Sequence, residues 1–118
     1  MDYSLPRTTY MQTIWFIKSY DEKLEEYKTV AYSAPEGGIG RSSMPGDPTG
    51  SRGLRAARLS QDLKAVDDAL KALPEYYREP VLENTLHRKP WPTYSTTRTF
   101  KRYKRKFVYH VARNAGFI

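Results

Sequence analysis

The 118-residue chain contains no cysteine, which excludes disulfides and thiolate metal sites. Histidine occurs only at His87 and His110, too few for an imidazole metal cage. The longest string of large apolar residues is Ile14-Trp15-Phe16-Ile17, far below the roughly 20 residues a membrane span needs. Met1-Asp2-Tyr3-Ser4 lacks the basic-then-apolar layout of a secretion signal. The expectation is a cytoplasmic protein with no membrane partner, no metal and no cofactor.

The most informative absence is local. Residues 87–118 hold nine Lys or Arg and no Asp or Glu, whereas the other 86 residues carry eleven basic and thirteen acidic side chains. The formal charge of +7 is therefore +9 in this stretch and −2 elsewhere. Such polarity points to a polyanionic partner.

Catalytic signatures are equally sparse. Asp67-Asp68, Asp21-Glu22 and Glu25-Glu26 sit at helix-surface spacing, the last two pairs among lysines. Ser42-Ser43 has no histidine near it in sequence. Gly37-Gly38-Ile39-Gly40 lacks the Lys-Ser/Thr of a phosphate loop and follows no strand pattern. No enzymatic activity is expected.

What the chain does contain is helical periodicity. Over residues 9–31, Ile14, Ile17, Tyr20, Leu24, Tyr27 and Ala31 recur at steps of three or four, with acidic and basic residues between them. Residues 33–53 crowd together nine Gly or Pro, the signature of a long loop. At its exit Asp47 can cap a helix and Pro48 suits the first helical position. Gly50 and Gly53 predict that regular helix is delayed to about Gly53. Over residues 54–73 the stripe Leu59, Leu63, Val66, Leu70, Leu73 predicts a second helix whose apolar edge is core.

Pro74 then breaks the chain and suits the first turn of a new helix reaching about His87, in which Pro80 predicts a kink or short turn. The connection over 87–94 carries Pro90 and Pro92, with Trp91 expected to plug the core. A terminal helix is expected from 95 or 96 to Asn114, capped by Thr93 or Ser95 and ended by Gly116. At ~100° per residue, Phe100, Phe107, Val111 and Ala115 share one side of it. Arg98, Arg102, Arg105 and Tyr109 lie opposite, and Lys104 falls near the apolar edge, where it can snorkel.

The expected fold is all-α: a long antiparallel helical hairpin over 1–73, with its Gly/Pro-rich loop at 33–53, followed by a helix-turn-helix-like pair over 74–118. A basic helix of this kind fits the major groove of double-stranded DNA. Residues near the start of a recognition helix reach base edges while later cations meet phosphates. Thr97, Arg98, Lys101 and Arg102 are accordingly the candidate base readers, and Arg88, Lys89, Arg105 and Lys106 the candidate phosphate contacts. Two rival classes remain. A structural or packaging protein would oligomerise through the Ile14 and Leu63 stripes, which also leave a homodimer open. An RNA-binding module would stack unpaired bases on Tyr94, Tyr103 and Tyr109.

The order of motifs resembles the small phage late-gene transcription regulators of the RinA and ArpU type, whose C-terminal half is similar to sigma region four. The resemblance rests on Gly46-Asp47-Pro48-Thr49, on Val66-Asp67-Asp68-Ala69-Leu70-Lys71-Ala72-Leu73-Pro74-Glu75-Tyr76-Tyr77-Arg78 and on Ser95-Thr96-Thr97-Arg98-Thr99-Phe100-Lys101-Arg102 with the residues that follow. Leu73-Pro74-Glu75-Tyr76-Tyr77-Arg78 looks like the entry to the sigma helix-turn-helix, and Ser95 to Arg102 like its recognition helix. The likeness covers about residues 46–118. It implies an all-helical, DNA-binding regulator that activates phage or prophage genes in the bacterial host, with RNA polymerase as a further partner. One feature departs from it: sigma region four carries a complete short helix where this chain has only residues 87–94 with two prolines.

Overall fold

The structure, a computed structural model, describes residues 3–37 and 48–118, with side chains described outside 31–37 and 48–52. Five helices account for it: α1 (Arg7–Lys18), α2 (Tyr20–Gly37), α3 (Pro48–Lys71), α4 (Glu75–His87) and α5 (Thr97–Asn114). There is no strand among the described residues. The all-α class is as the periodicity predicts.

One expected helix is two. The pattern over 9–31 is interrupted at Ser19, which has φ −82° and ψ 2°. Its hydroxyl donates to the Phe16 carbonyl at 2.7 Å, and a serine that bonds its own backbone in this way offers the chain an alternative to the helical ladder. The loop boundaries also move. α2 runs to Gly37 and α3 begins at Pro48 rather than near Gly53. Proline pre-organises a first turn because its missing N–H is an orphan there anyway, and this outweighs the two glycines. The proposed Asp47 cap and residues 38–47 of the expected 33–53 loop lie outside the described residues.

The chain divides into two compact units, one comprising the chain up to Tyr20 with Ala65–Ile118, the other Asp21–Lys64. In the Asp21–Lys64 unit, Lys23 pairs with Asp62 at 3.2 Å and Glu26 with Arg55. Partners thus advance along α2 as they retreat along α3. Leu59 and Leu63 are buried in this unit.

The other unit holds the core. Ile17 of α1, Val66, Ala69 and Leu73 from the end of α3, Val81 of α4, and Phe107, Val108 and Val111 of α5 form one buried cluster, each at most 1% exposed. The first helix therefore packs with the last pair. Two threonines are buried with it, and each is satisfied locally: Thr13 donates to the Thr9 carbonyl at 2.7 Å and Thr85 to the Val81 carbonyl at 2.8 Å. A buried hydroxyl without such a partner would be costly.

Pro80 does not break α4, which is helical on both sides of it. Proline at this position deprives the Tyr76 carbonyl of its helical donor. The Tyr94 hydroxyl, from the connection ahead of α5, donates to that carbonyl instead. Pro74 stands just before α4 as its N-cap residue rather than within its first turn. The guanidinium of Arg78 turns back onto the end of α3, donating to the carbonyls of Leu73 at 2.9 Å and Lys71 at 3.4 Å.

Candidate nucleic-acid interface

The basic stretch is rigidly mounted. α5 is capped by Thr96, whose Oγ1 accepts from the Thr99 N–H at 3.2 Å, so neither Thr93 nor Ser95 is the cap. Ser95 is one residue too early and its hydroxyl pairs with that of Tyr77 at 2.8 Å. At the other end Gly116 takes φ 84°. The Phe117 N–H reaches the Ala112 carbonyl at 2.8 Å and the Gly116 N–H that of Arg113 at 3.2 Å, the bond pair of a Schellman ending. Phe117 then packs edge-on against Phe16 of α1, with centroids 5.4 Å apart.

One side of α5 is sealed. Phe100, Phe107, Val108, Val111 and Ala112 are fully buried. The nine-residue connection from Arg88 to Thr96 wraps the start of the helix with aromatic rings. Trp91 stacks on Phe100 at 5.1 Å with planes 7° apart and packs, partly buried, against the core cluster. Tyr77 stacks on Tyr103 at 4.4 Å, and Tyr94 meets Phe100 edge-on at 5.6 Å. Further along, Tyr3 meets Tyr109 at 5.3 Å. The three tyrosines considered for base stacking are thus each engaged by an aromatic side chain of the protein itself.

On the opposite side, Thr97, Arg98, Lys101, Arg102 and Arg105 line one shallow concavity of about 580 Å³. All five are exposed. Among the described residues no carboxylate pairs with any of these four cations; Arg102 lies over the Tyr103 ring at 5.7 Å. Arg98, Arg102 and Arg105 are spaced so that they form a single row along the helix.

Three other predicted contacts are placed elsewhere. Lys89 pairs with Glu83 at 3.1 Å, and Glu83 also holds the His87 Nδ1 at 3.0 Å. Those two hydrogen bonds, that from His87 foremost, hold the Glu83 carboxyl below its ordinary pKa. Arg88 is exposed at the end of α4 in the left-handed region, φ 55°, with its N–H on the Asn84 carbonyl. Lys106 is half-buried, with its ammonium 5.9 Å from the centre of the Tyr3 ring. None of the three lines the concavity.

Lys104 was visible in the sequence only as a cation near the apolar edge. Its ammonium donates to Asn84 Oδ1 at 3.0 Å, while the Asn84 amide N–H donates to the Lys89 carbonyl at 2.8 Å. Burial, then the positive charges of Lys18 and Arg88, push the Lys104 pKa down. His110 is likewise pushed down, by burial first and then by Lys106 and Arg113. Asn84 carried no sequence signal as a partner, because a polar residue on an amphipathic helix is ordinary.

Compared with protein-family models, curated proteins and solved structures, the chain matches none.

Proposed function

We propose that the protein is a sequence-specific, double-stranded DNA-binding regulator of phage or prophage transcription, acting in the bacterial cytoplasm through α5 as recognition helix. The observation that carries this reading is the exposed row Arg98, Arg102, Arg105 with Lys101 beside it, free of carboxylate partners among the described residues, on a helix whose opposite face is core. A helix with side chains is about 10–12 Å across and the major groove is about 12 Å wide, so the two are matched in size. Arg98 and Arg102 lie at the start of α5, where recognition helices meet base edges. Arginine's planar fork suits guanine, and Arg105 and Lys101 suit the flanking phosphates.

The resemblance to the RinA and ArpU type adds the phage setting and RNA polymerase as a second partner. The nine-residue connection is longer than the three or four residues of a standard helix-turn-helix turn, so α4 need not cross the backbone in the usual way. The reading assigns no catalysis.

Selection from a random duplex library tests the proposal directly: an enriched motif is expected. The Arg98→Ala, Arg102→Ala double variant, folded by circular dichroism, should lose discrimination by roughly 1–3 kcal/mol per arginine. Equal binding of the selected site by parent and variant would sink the assignment of base readers. The two phosphate contacts, Lys101 and Arg105, set an expected slope of log K against log salt near −1.8, taking about 0.9 per phosphate contact.

An assembly role in phage particles is the second reading. It is favoured by Trp15 and Met11, 66% and 46% exposed one turn apart on α1, which is apolar surface available to another subunit. Sizing that gives a closed ring, with duplex binding indifferent to sequence, would support it over the regulator. A homodimer is compatible with either.

A further inference from the structure

A second concavity, with no carboxylate among its described lining residues, lies on the other flank of α5. It is an open groove of about 650 Å³, within the size range of small-ligand sites. Lys101, Lys104 and Arg105 supply its cations, and Tyr3, Tyr10 and Trp91 its aromatic walls. Asn84 is the remaining polar side chain that matters, because it positions Lys104.

An ammonium has three N–H donors and favours anionic acceptors. Here the half-buried Lys104 is held by a neutral amide oxygen. Asn84 is itself fixed by its bond to the Lys89 carbonyl, so the ammonium is pre-positioned rather than swinging in solvent. Burial first, then the positive charges of Lys18 and Arg88, push the Lys104 pKa down, and an anion in the groove would offset both by favouring the charged ammonium. Arg105 lies one residue further along α5, with a fork that grips phosphate bidentately. The aromatic walls are not needed for a bare anion. The Trp91 indole is immobilised by its stack on Phe100, and the part that lines the groove is a rigid platform for a flat ring.

We propose that this groove is a nucleotide site, in which Lys101, Lys104 and Arg105 take the phosphate and the base lies against Tyr10 and Trp91. The nucleotide can be free or the terminal unit of a strand. The proposal does not depend on duplex recognition by Arg98 and Arg102, which lie outside the groove lining. Lys101 and Arg105 belong to both concavities, so a free nucleotide would oppose binding of duplex DNA to α5.

The test uses the full chain carrying Trp15→Phe, which leaves Trp91 as the single tryptophan. Deoxyadenosine monophosphate should change Trp91 fluorescence saturably. Deoxyadenosine and inorganic phosphate should each bind at least about tenfold more weakly, since each lacks one half of the contacts. Lys104→Met and Arg105→Gln should each cost about tenfold, the loss expected of one charge-assisted hydrogen bond. Arg105 is exposed, so its variant keeps the test valid if Lys104→Met fails to fold. A 5′-phosphorylated single strand binding well above the mononucleotide identifies a strand terminus as the source; equal affinity identifies the free nucleotide. The proposal is overturned if neither probe gives saturable binding, if inorganic phosphate binds as tightly as the monophosphate, or if both variants bind as the parent does. Failure of the duplex selection would leave these titrations unchanged.

Discussion

Two sets of cations ride on α5 and meet different fates. Arg98, Arg102 and Arg105 stand exposed, with no carboxylate against them among the described residues. Lys104 and Lys106, on the same helix, are drawn in against Asn84 and the Tyr3 ring. Sequence position and charge are nearly the same in both sets; only the angle around the helix axis differs. The outward set is accordingly expected to matter for ligands and hardly at all for folding, and the inward set to register in stability.

The sharpest test of the buried side is Phe107→Ala. Phe107 is fully buried in the core cluster, and truncation should cost about 3–5 kcal/mol in urea unfolding. A cost near zero would mean that α5 is not seated on this core. The next effect concerns how α5 is held against α4. Tyr94→Phe removes the donor to the Tyr76 carbonyl and should cost ~1 kcal/mol. In a Pro80→Ala background, where a backbone N–H is restored to that carbonyl, the cost should shrink, as a double-mutant cycle would show.

Titration compares the inward cations with their outward counterparts. Lys104 has a folded pKa below the ordinary 10.5, so protonation is disfavoured in the folded state. Stability from this group is present in full above 10.5 and is lost as pH falls through the lowered pKa. Lys104→Met should therefore raise Tm at neutral pH, by an amount that shrinks as pH rises toward 10.5. His110 is the acid-side equivalent, with a folded pKa below 6.5. Its contribution is present above 6.5 and lost as pH falls through the lowered value. His110→Gln should flatten the loss of Tm on acidification in that window. The smallest effect is expected from Arg98→Ala: a change in stability within about 0.5 kcal/mol, measured by the same unfolding. A larger loss would show that this arginine is part of the fold.

Much of this was legible beforehand. The helical class, the apolar stripes at Leu59, Leu63 and Val66, the plug at Trp91, the stop at Gly116 and the outward row on α5 all follow from spacing and side-chain chemistry. The break at Ser19 was not, because an isolated serine between two strong periodic segments is compatible with a continuous helix. How the carbonyl freed by Pro80 is satisfied was not legible either, because its donor, Tyr94, lies 18 residues further along the sequence than Tyr76. The pairing of Lys89 with Glu83 was equally illegible, because Glu83 lies six positions back across a helix end whose geometry the spacing does not specify.

Periodicity and composition alone determined that the chain is helical and that its C-terminal helix has one apolar and one cationic side, because both are properties of residue order around a helix axis. Tertiary structure decided which cations stay outside, that α1 packs with the last two helices, and that Lys104 is held over a groove. Those outcomes rest on contacts between residues far apart in the chain, whose proximity arises only when the helices pack.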